Sequence, residues 1–150
     1  MELADILDER SIRIPLESRT KEDVLAELVA LLPSASTAAA QEAILASVLE
    51  REGRMSTGIG QAIAIPHGKC ALLERVEVAF GIAREPIDFD SLDGRPVRLL
   101  FLLVSPPEMT SQHIQALAQV SRVLSADGVR EDLLAAESPE RVRALLANAG

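Results

Sequence analysis

Residues 97–104, Val-Arg-Leu-Leu-Phe-Leu-Leu-Val, form an almost continuously apolar run that Ser105-Pro106-Pro107 closes. Side chains of a strand alternate between its two faces, so such a run cannot keep either face in water. It belongs in the middle of a sheet with other layers packed over both sides. Its length is far below the roughly 20 residues that span a bilayer, so no membrane insertion is expected. The core around it must be aliphatic: 48% of the 150 residues are hydrophobic, yet there are three Phe and neither Trp nor Tyr. A chain of this length buries roughly 70% of its unfolded surface as one unit, and no repeat, low-complexity tract or linker divides it. A single domain over residues 1–150 is expected.

The rest of the pattern supplies the covering layers. Ser11 to Leu16 alternates as a half-buried strand does. Thr20-Lys21-Glu22-Asp23 resembles a capping box and opens a helix with Val24, Leu25, Leu28, Val29 and Leu32 inward, stopped by Pro33. A second helix spans Ala38 to Arg54, with Ile44, Leu45, Val48 and Leu49 inward. Strands are expected over Gln61 to Ile65, Val76 to Ala83 and Val97 to Val104. Arg84 to Pro96 carries Pro, Asp and Gly and reads as a loop, with room for a short strand at Ile87 to Phe89. Thr110 caps a helix to Ser125, and Met109 with Ile114 has the spacing of a hydrophobic staple. A short helix over Val129 to Ala136 follows, and Ser138-Pro139 opens the last one. The order β-α-α-β-β-β-α-α-α predicts an α/β fold, one sheet with helices over its faces.

Charge and cysteine content narrow the function. The net charge is −8, spread along the chain, which speaks against sequence-independent nucleic-acid binding and is compatible with a basic protein partner. Cys70 is the sole cysteine, so no internal disulfide forms and a reducing compartment is the default. Met1-Glu2-Leu3-Ala4-Asp5 is acidic early and lacks the pattern of a leader. A soluble, cytoplasmic protein is expected.

Chemistry can gather at few places. Ala62-Ile63-Ala64-Ile65-Pro66-His67-Gly68 sets one of two histidines at the end of an apolar strand, between a proline and a glycine. On the second helix, with Ile44 at zero, Arg51 falls about −20° and Val48 about 40° round the helix. Arg51 therefore lies on the buried stripe and needs an anion. Glu52, about 80° round, is one candidate; a bound phosphoryl group is the other. On the later helix Leu117 and Val120 bracket His113 at about 40° and −20°, so His113 also faces inward. With Thr110 as cap it is the third helical residue, where the positive end of the helix lowers an imidazole pKa and attracts anions. A neutral imidazole is a nucleophile at pH 7, and a phosphoryl group on its nitrogen wants Arg, a second imidazole and N–H donors around its oxygens.

The motifs Glu50-Arg51-Glu52, Ser56-Thr57-Gly58-Ile59-Gly60, Ile63-Ala64-Ile65-Pro66-His67-Gly68 and His113-Ile114-Gln115-Ala116-Leu117 stand 16 residues apart from Arg51 to His67 and 46 from His67 to His113. In this order and spacing the chain resembles the enzyme IIA domains of the phosphoenolpyruvate-dependent phosphotransferase system, of the fructose/mannitol/nitrogen-regulatory type. Leu3-Ala4-Asp5-Ile6-Leu7 and Thr20-Lys21-Glu22-Asp23-Val24-Leu25 look like the nitrogen-regulatory members. The resemblance implies a mixed β-sheet flanked by helices and a phosphocarrier activity. His67 matches the histidine that accepts the phosphoryl group, on Nε2, from the phosphocarrier HPr. Arg51 and His113 match the pair that hold that group, and Thr57 matches a hydroxyl lining the site. No metal or organic cofactor is implied. The onward partner is a IIB component or a regulatory target. The absence of fused IIB and IIC segments tilts the resemblance towards regulatory members, with a separate sugar-specific IIA component as the alternative.

Other readings compete. His67 and Cys70 have His-x-x-Cys spacing to which His113 could add, but no fourth metal ligand stands at useful spacing. A Cys70/His113 hydrolase lacks an orienting group and an oxyanion hole, and Gly58-Ile59-Gly60-Gln61-Ala62-Ile63 lacks the third glycine of a dinucleotide fingerprint. A binding module whose histidine rarely carries phosphate is the rival from another class.

Overall fold

A computed structural model describes residues 3–149. Met1 and Glu2, part of the N-terminal segment read above for a leader, lie outside the described residues. The chain opens with α1 (Leu3–Ile6), a 3-10 turn (Glu9–Ser11) and β1 (Ile12–Arg13). Helices α2 (Lys21–Val29) and α3 (Ala38–Arg54) follow. Next come β2 (Gly58–Gly60), β3 (Ile63–Ala64), β4 (His67–Lys69), β5 (Glu77–Ile87) and β6 (Val97–Ser105). Helices α4 (Thr110–Leu124), α5 (Val129–Leu134) and α6 (Pro139–Ala149) complete it.

The strands form a mixed sheet ordered β1-β5-β6-β3-β2, with β4 also paired to β6. The apolar run is β6, and it lies mid-sheet as its composition requires. β5 runs antiparallel to it with Phe80 opposite Phe101, their rings 4.5 Å apart. β3 and β4 share its other edge, both parallel to it. One face of β5 and β6 (Val78, Phe80, Ile82, Leu99, Phe101, Leu103) packs with Leu3, Leu7, Val120, Val123, Leu133, Val142 and Leu146. The other (Ala79, Leu100, Leu102, Val104) packs with Val24, Leu25, Leu28, Ile44 and Val48. Helices thus cover both faces, the two-sided burial expected of a strand without alternation.

Several boundaries differ from expectation. The first strand pairs only at Ile12 and Arg13, because Pro15 has no N–H for a ladder; the chain rejoins β5 where the Leu16 N–H reaches the Ile82 carbonyl. α2 ends at Val29, and tighter turns at Leu31 and Leu32 carry the chain on. Leu49 is 38% exposed rather than inward, since five residues from Ile44 place it about 140° off the stripe. β5 continues through the expected loop to Ile87, which pairs with Val97 after a register shift; that irregularity accommodates Pro86. The segment expected as one strand over Gln61 to Ile65 begins with a turn: Gln61 and Ala62 have φ of 58° and 67°, the two left-handed residues that a tight hairpin between β2 and β3 needs. Met109, not Thr110, caps α4. Ile114 is 60% exposed, so no staple forms. α5 stops at Leu134, two residues short of expectation. The Ser138 cap of the last helix is present, its Oγ accepting the Arg141 N–H.

Candidate functional site

His67 sits where the edge of β6 changes partner. Between β3 and β4 the chain passes through Ile65 and Pro66, and the Leu103 N–H of β6 donates to the Pro66 carbonyl at 3.0 Å. Pro66 offers no N–H in return. The Ile65 N–H turns instead to the Thr57 carbonyl (3.0 Å), leaving the Ile65 carbonyl beside the imidazole. Nδ1 of His67 lies 2.9 Å from that oxygen. A carbonyl only accepts, so Nδ1 carries the proton and the Nε2 lone pair is bare.

α3 lies against β4, and Gly68 permits the approach. A Cβ there would stand 3.0 Å from Ser47 Oγ and 3.1 Å from the α3 backbone at Ser47 and Val48. The last turns of α3 therefore bring Arg51 to the histidine. α4 supplies His113, whose ring centroid is 5.5 Å from that of His67. The result is a cleft of about 440 Å³ lined by His67, His113, Arg51, Arg54, Lys69, Ser47, Glu50, Gly68 and Leu117.

Both imidazoles resist protonation. Burial lowers the His67 pKa first; the bond to Ile65 works against this, the Arg51 charge adds to the lowering, and the Glu52 charge opposes it. His113, 5% exposed, is depressed to about 4 by burial, then by His67 and Lys69. Both rings are neutral at pH 7. The position of His113 differs from expectation: with Met109 as cap it is the fourth helical residue, and its own N–H donates to the Met109 carbonyl at 3.0 Å.

Arg51 is half-buried and its Nη1 donates to the Met55 carbonyl at 2.9 Å. Glu52 is not its partner. That carboxylate, 6% exposed, accepts the Thr57 N–H (2.9 Å) and hydroxyl (2.5 Å) and pairs with Lys21 at 2.9 Å. Arg54 pairs with Glu50 at 2.7 Å. Three cationic side chains, Arg51, Arg54 and Lys69, thus line the cleft with one carboxylate, Glu50, while the Glu52 carboxylate is near enough to act on His67 without lining it, in a protein of net charge −8. A bare nitrogen nucleophile, a guanidinium, two neighbouring cations and a second neutral imidazole suit a phosphoryl dianion.

The structure brings His67, His113 and Arg51 together in one cleft. Thr57 does not line it; its side chain is buried beneath, held by Glu52. Cys70 packs in the core with Val104, and among the described residues no cluster of His, Cys, Asp and Glu suited to a metal is present. Lys69, Ser47 and Arg54 are the lining residues sequence reasoning missed. The signals were there: Lys69 is two residues from His67 on one strand, and positions 47, 51 and 54 share one helix face.

Residues 5–149 match the family model described as "Phosphoenolpyruvate-dependent sugar phosphotransferase system, EIIA 2". The fructose-specific EIIA component of Haloferax volcanii is 41% identical over 85% of this chain and 83% of its own length. The nitrogen regulatory protein of Bradyrhizobium diazoefficiens is 33% identical over 98% of this chain and 95% of its own. The chain spans only 22% of the fructose-specific EIIABC component of Bacillus subtilis, to which it is 35% identical. Among solved structures, nitrogen regulatory protein IIA-Ntr from Neisseria meningitidis superposes with a TM-score of 0.89 at 35% identity, covering 96% of this chain and 98% of that one. Escherichia coli IIA mannitol, solved in complex with phosphorylated IIB mannitol, gives 0.75 at 22% identity over 94% and 96% of the two chains, and shows the fold alone. No helix among the described residues is long and apolar enough to cross a membrane. A phosphocarrier role, expected from the motifs, fits these relatives. On the match over residues 5–149 and on these identities, the chain belongs to the EIIA type 2 family of the phosphoenolpyruvate-dependent phosphotransferase system.

Proposed function

We propose that this protein is a cytoplasmic phosphocarrier, one EIIA unit over residues 1–150, that takes a phosphoryl group onto Nε2 of His67 from an HPr-type donor. The observation that carries the reading is the 2.9 Å contact of His67 Nδ1 with the Ile65 carbonyl. It leaves Nε2 with its lone pair inside a cationic cleft.

In the transfer that lone pair attacks phosphorus in line with the donor nitrogen. The Nε2–P bond forms as the donor N–P bond breaks, and its electron pair returns to the donor ring. The proton on Nδ1 stays in place. The ring then carries formal positive charge, so its bond to the Ile65 carbonyl becomes charge-assisted and stronger. Arg51 and His113 supply charge and a hydrogen bond to the phosphoryl oxygens. The reverse attack, by a cysteine or histidine of a IIB partner, discharges the carrier. In a regulatory role the charged and uncharged forms instead select a target protein. Near full-length likeness to nitrogen regulatory proteins favours regulation, and the likeness to fructose-specific EIIA keeps sugar transport as the second reading.

The test is intact mass after incubation with phosphoenolpyruvate, enzyme I and HPr. One acid-labile phosphoryl group is expected on the wild type and none on His67→Ala. Full labelling of His67→Ala moves the acceptor elsewhere. No labelling of the wild type beside phosphorylated HPr favours a binding module.

A further inference from the structure

The second imidazole of the cleft has an unassigned neighbour. Ser105, the last residue of β6, is fully buried, and its Oγ lies 2.6 Å from Nδ1 of His113. We propose that Ser105 is a positioning residue for phosphoryl transfer: its hydroxyl donates to His113 Nδ1 and so holds the His113 proton on Nε2, where it faces the phosphoryl group. This deepens the phosphocarrier reading and rests on it.

The direction of the bond follows from the surroundings. A buried hydroxyl proton needs an acceptor, and among the hydrogen bonds of the described residues the Ser105 hydroxyl has this ring nitrogen and no second acceptor. Donation from Ser105 makes Nδ1 the acceptor, so the neutral ring bears its proton on the other nitrogen. In the opposite arrangement the buried hydroxyl proton has nowhere to go, and a lone pair points at phosphoryl oxygens and repels them. The backbone of Ser105 is fixed as well, since its carbonyl accepts the Cys70 N–H at 2.9 Å just beyond β4. The two imidazoles then carry opposite tautomers. His67 keeps its proton on Nδ1 against Ile65 and attacks with Nε2; His113 keeps its proton on Nε2 and donates it as a hydrogen bond. One site obtains a nucleophile and a hydrogen-bond donor from two copies of the same side chain.

The experiment is a long-range proton–nitrogen NMR spectrum of 15N-histidine-labelled protein at pH 7.5, with no phosphoryl donor present. His113 protonated on Nε2 with a bare Nδ1 is expected in the wild type; a protonated Nδ1 overturns the proposal. Ser105→Ala should convert His113 to a mixture of tautomers while His67 signals report an intact site, and Ser105→Thr, which keeps the hydroxyl, should restore the wild-type pattern. In transfer assays Ser105→Ala should lower kcat for phosphoryl acceptance about three- to tenfold, the worth of one hydrogen bond, with KM for phospho-HPr unchanged. Unaltered tautomers and kcat in that variant also overturn it. Wild-type protein that accepts no phosphoryl group defeats the phosphocarrier reading instead, and the spectrum still decides the tautomer.

Discussion

Lys21 Nζ stands 2.9 Å from Glu52 Oε2, so an ion pair between residues far apart in sequence ties the first turn of α2 to the last turns of α3 behind the cleft. Glu52 passes the connection forward. It holds the N–H and hydroxyl of Thr57; the Thr57 carbonyl holds the Ile65 N–H; the Ile65 carbonyl holds His67 Nδ1. Hydrogen bonds linked in this way polarise one another.

Glu52→Gln breaks the ion pair and leaves one amide oxygen for two Thr57 donors. It should cost about 1–3 kcal/mol of stability, read from urea denaturation. An unchanged urea midpoint would show that the connection is not structural.

Arg51→Lys removes the planar fork and leaves a point charge. Phosphoryl acceptance should fall at least about tenfold, roughly 1.4 kcal/mol of transition-state stabilisation, with little change in the unfolding midpoint. Initial rates from phospho-HPr measure it.

The depressed His113 pKa, about 4 against 6.5, has a definite sign. Between those values the unfolded chain binds the proton that the folded ring refuses, so this residue makes stability fall as pH drops from about 6.5 to 4 and contributes nothing above. Comparing urea midpoints of wild type and His113→Gln across pH 4–8 checks this: the variant should show a shallower acid slope.

Gly68→Ala places a methyl 3.0–3.1 Å from Ser47 and Val48 of α3. Relief must come from moving α3 outward, which carries Arg51 away from His67. A loss of about 1–3 kcal/mol, as for other overpacked sites, should accompany slower acceptance; calorimetry and transfer rates measure the two.

Parts of this architecture were legible because one segment determined them alone. The β6 run has no polar face to place in water, and α3 has 17 residues of helical pattern with the bounds expected. The short strands β2 and β4 have three residues each, too few for a period, and β4 exists as a strand because β6 is beside it. His67, His113 and Arg51 could be drawn together because each carried a local cue. Lys21 and Ser105 could not: a lysine after a helix cap and a serine after an apolar run look like ordinary termini until the fold sets Glu52 and His113 against them. Thr57 is opaque for the same reason, since nothing local says that its hydroxyl donates to Glu52 and does not line the cleft.

One strand meters the distance between the two rings. His67 is in register with Leu103 of β6, and Ser105, two residues on along that strand, grips His113. Leu103 and Ser105 are both fully buried, so the gauge is part of the protein's interior while the groups it spaces open onto a cleft. Whatever docks at the cleft meets a gap already cut to length. A donor and a recipient arriving in turn would therefore encounter the same die, and each must bring its own reacting atom to fit it.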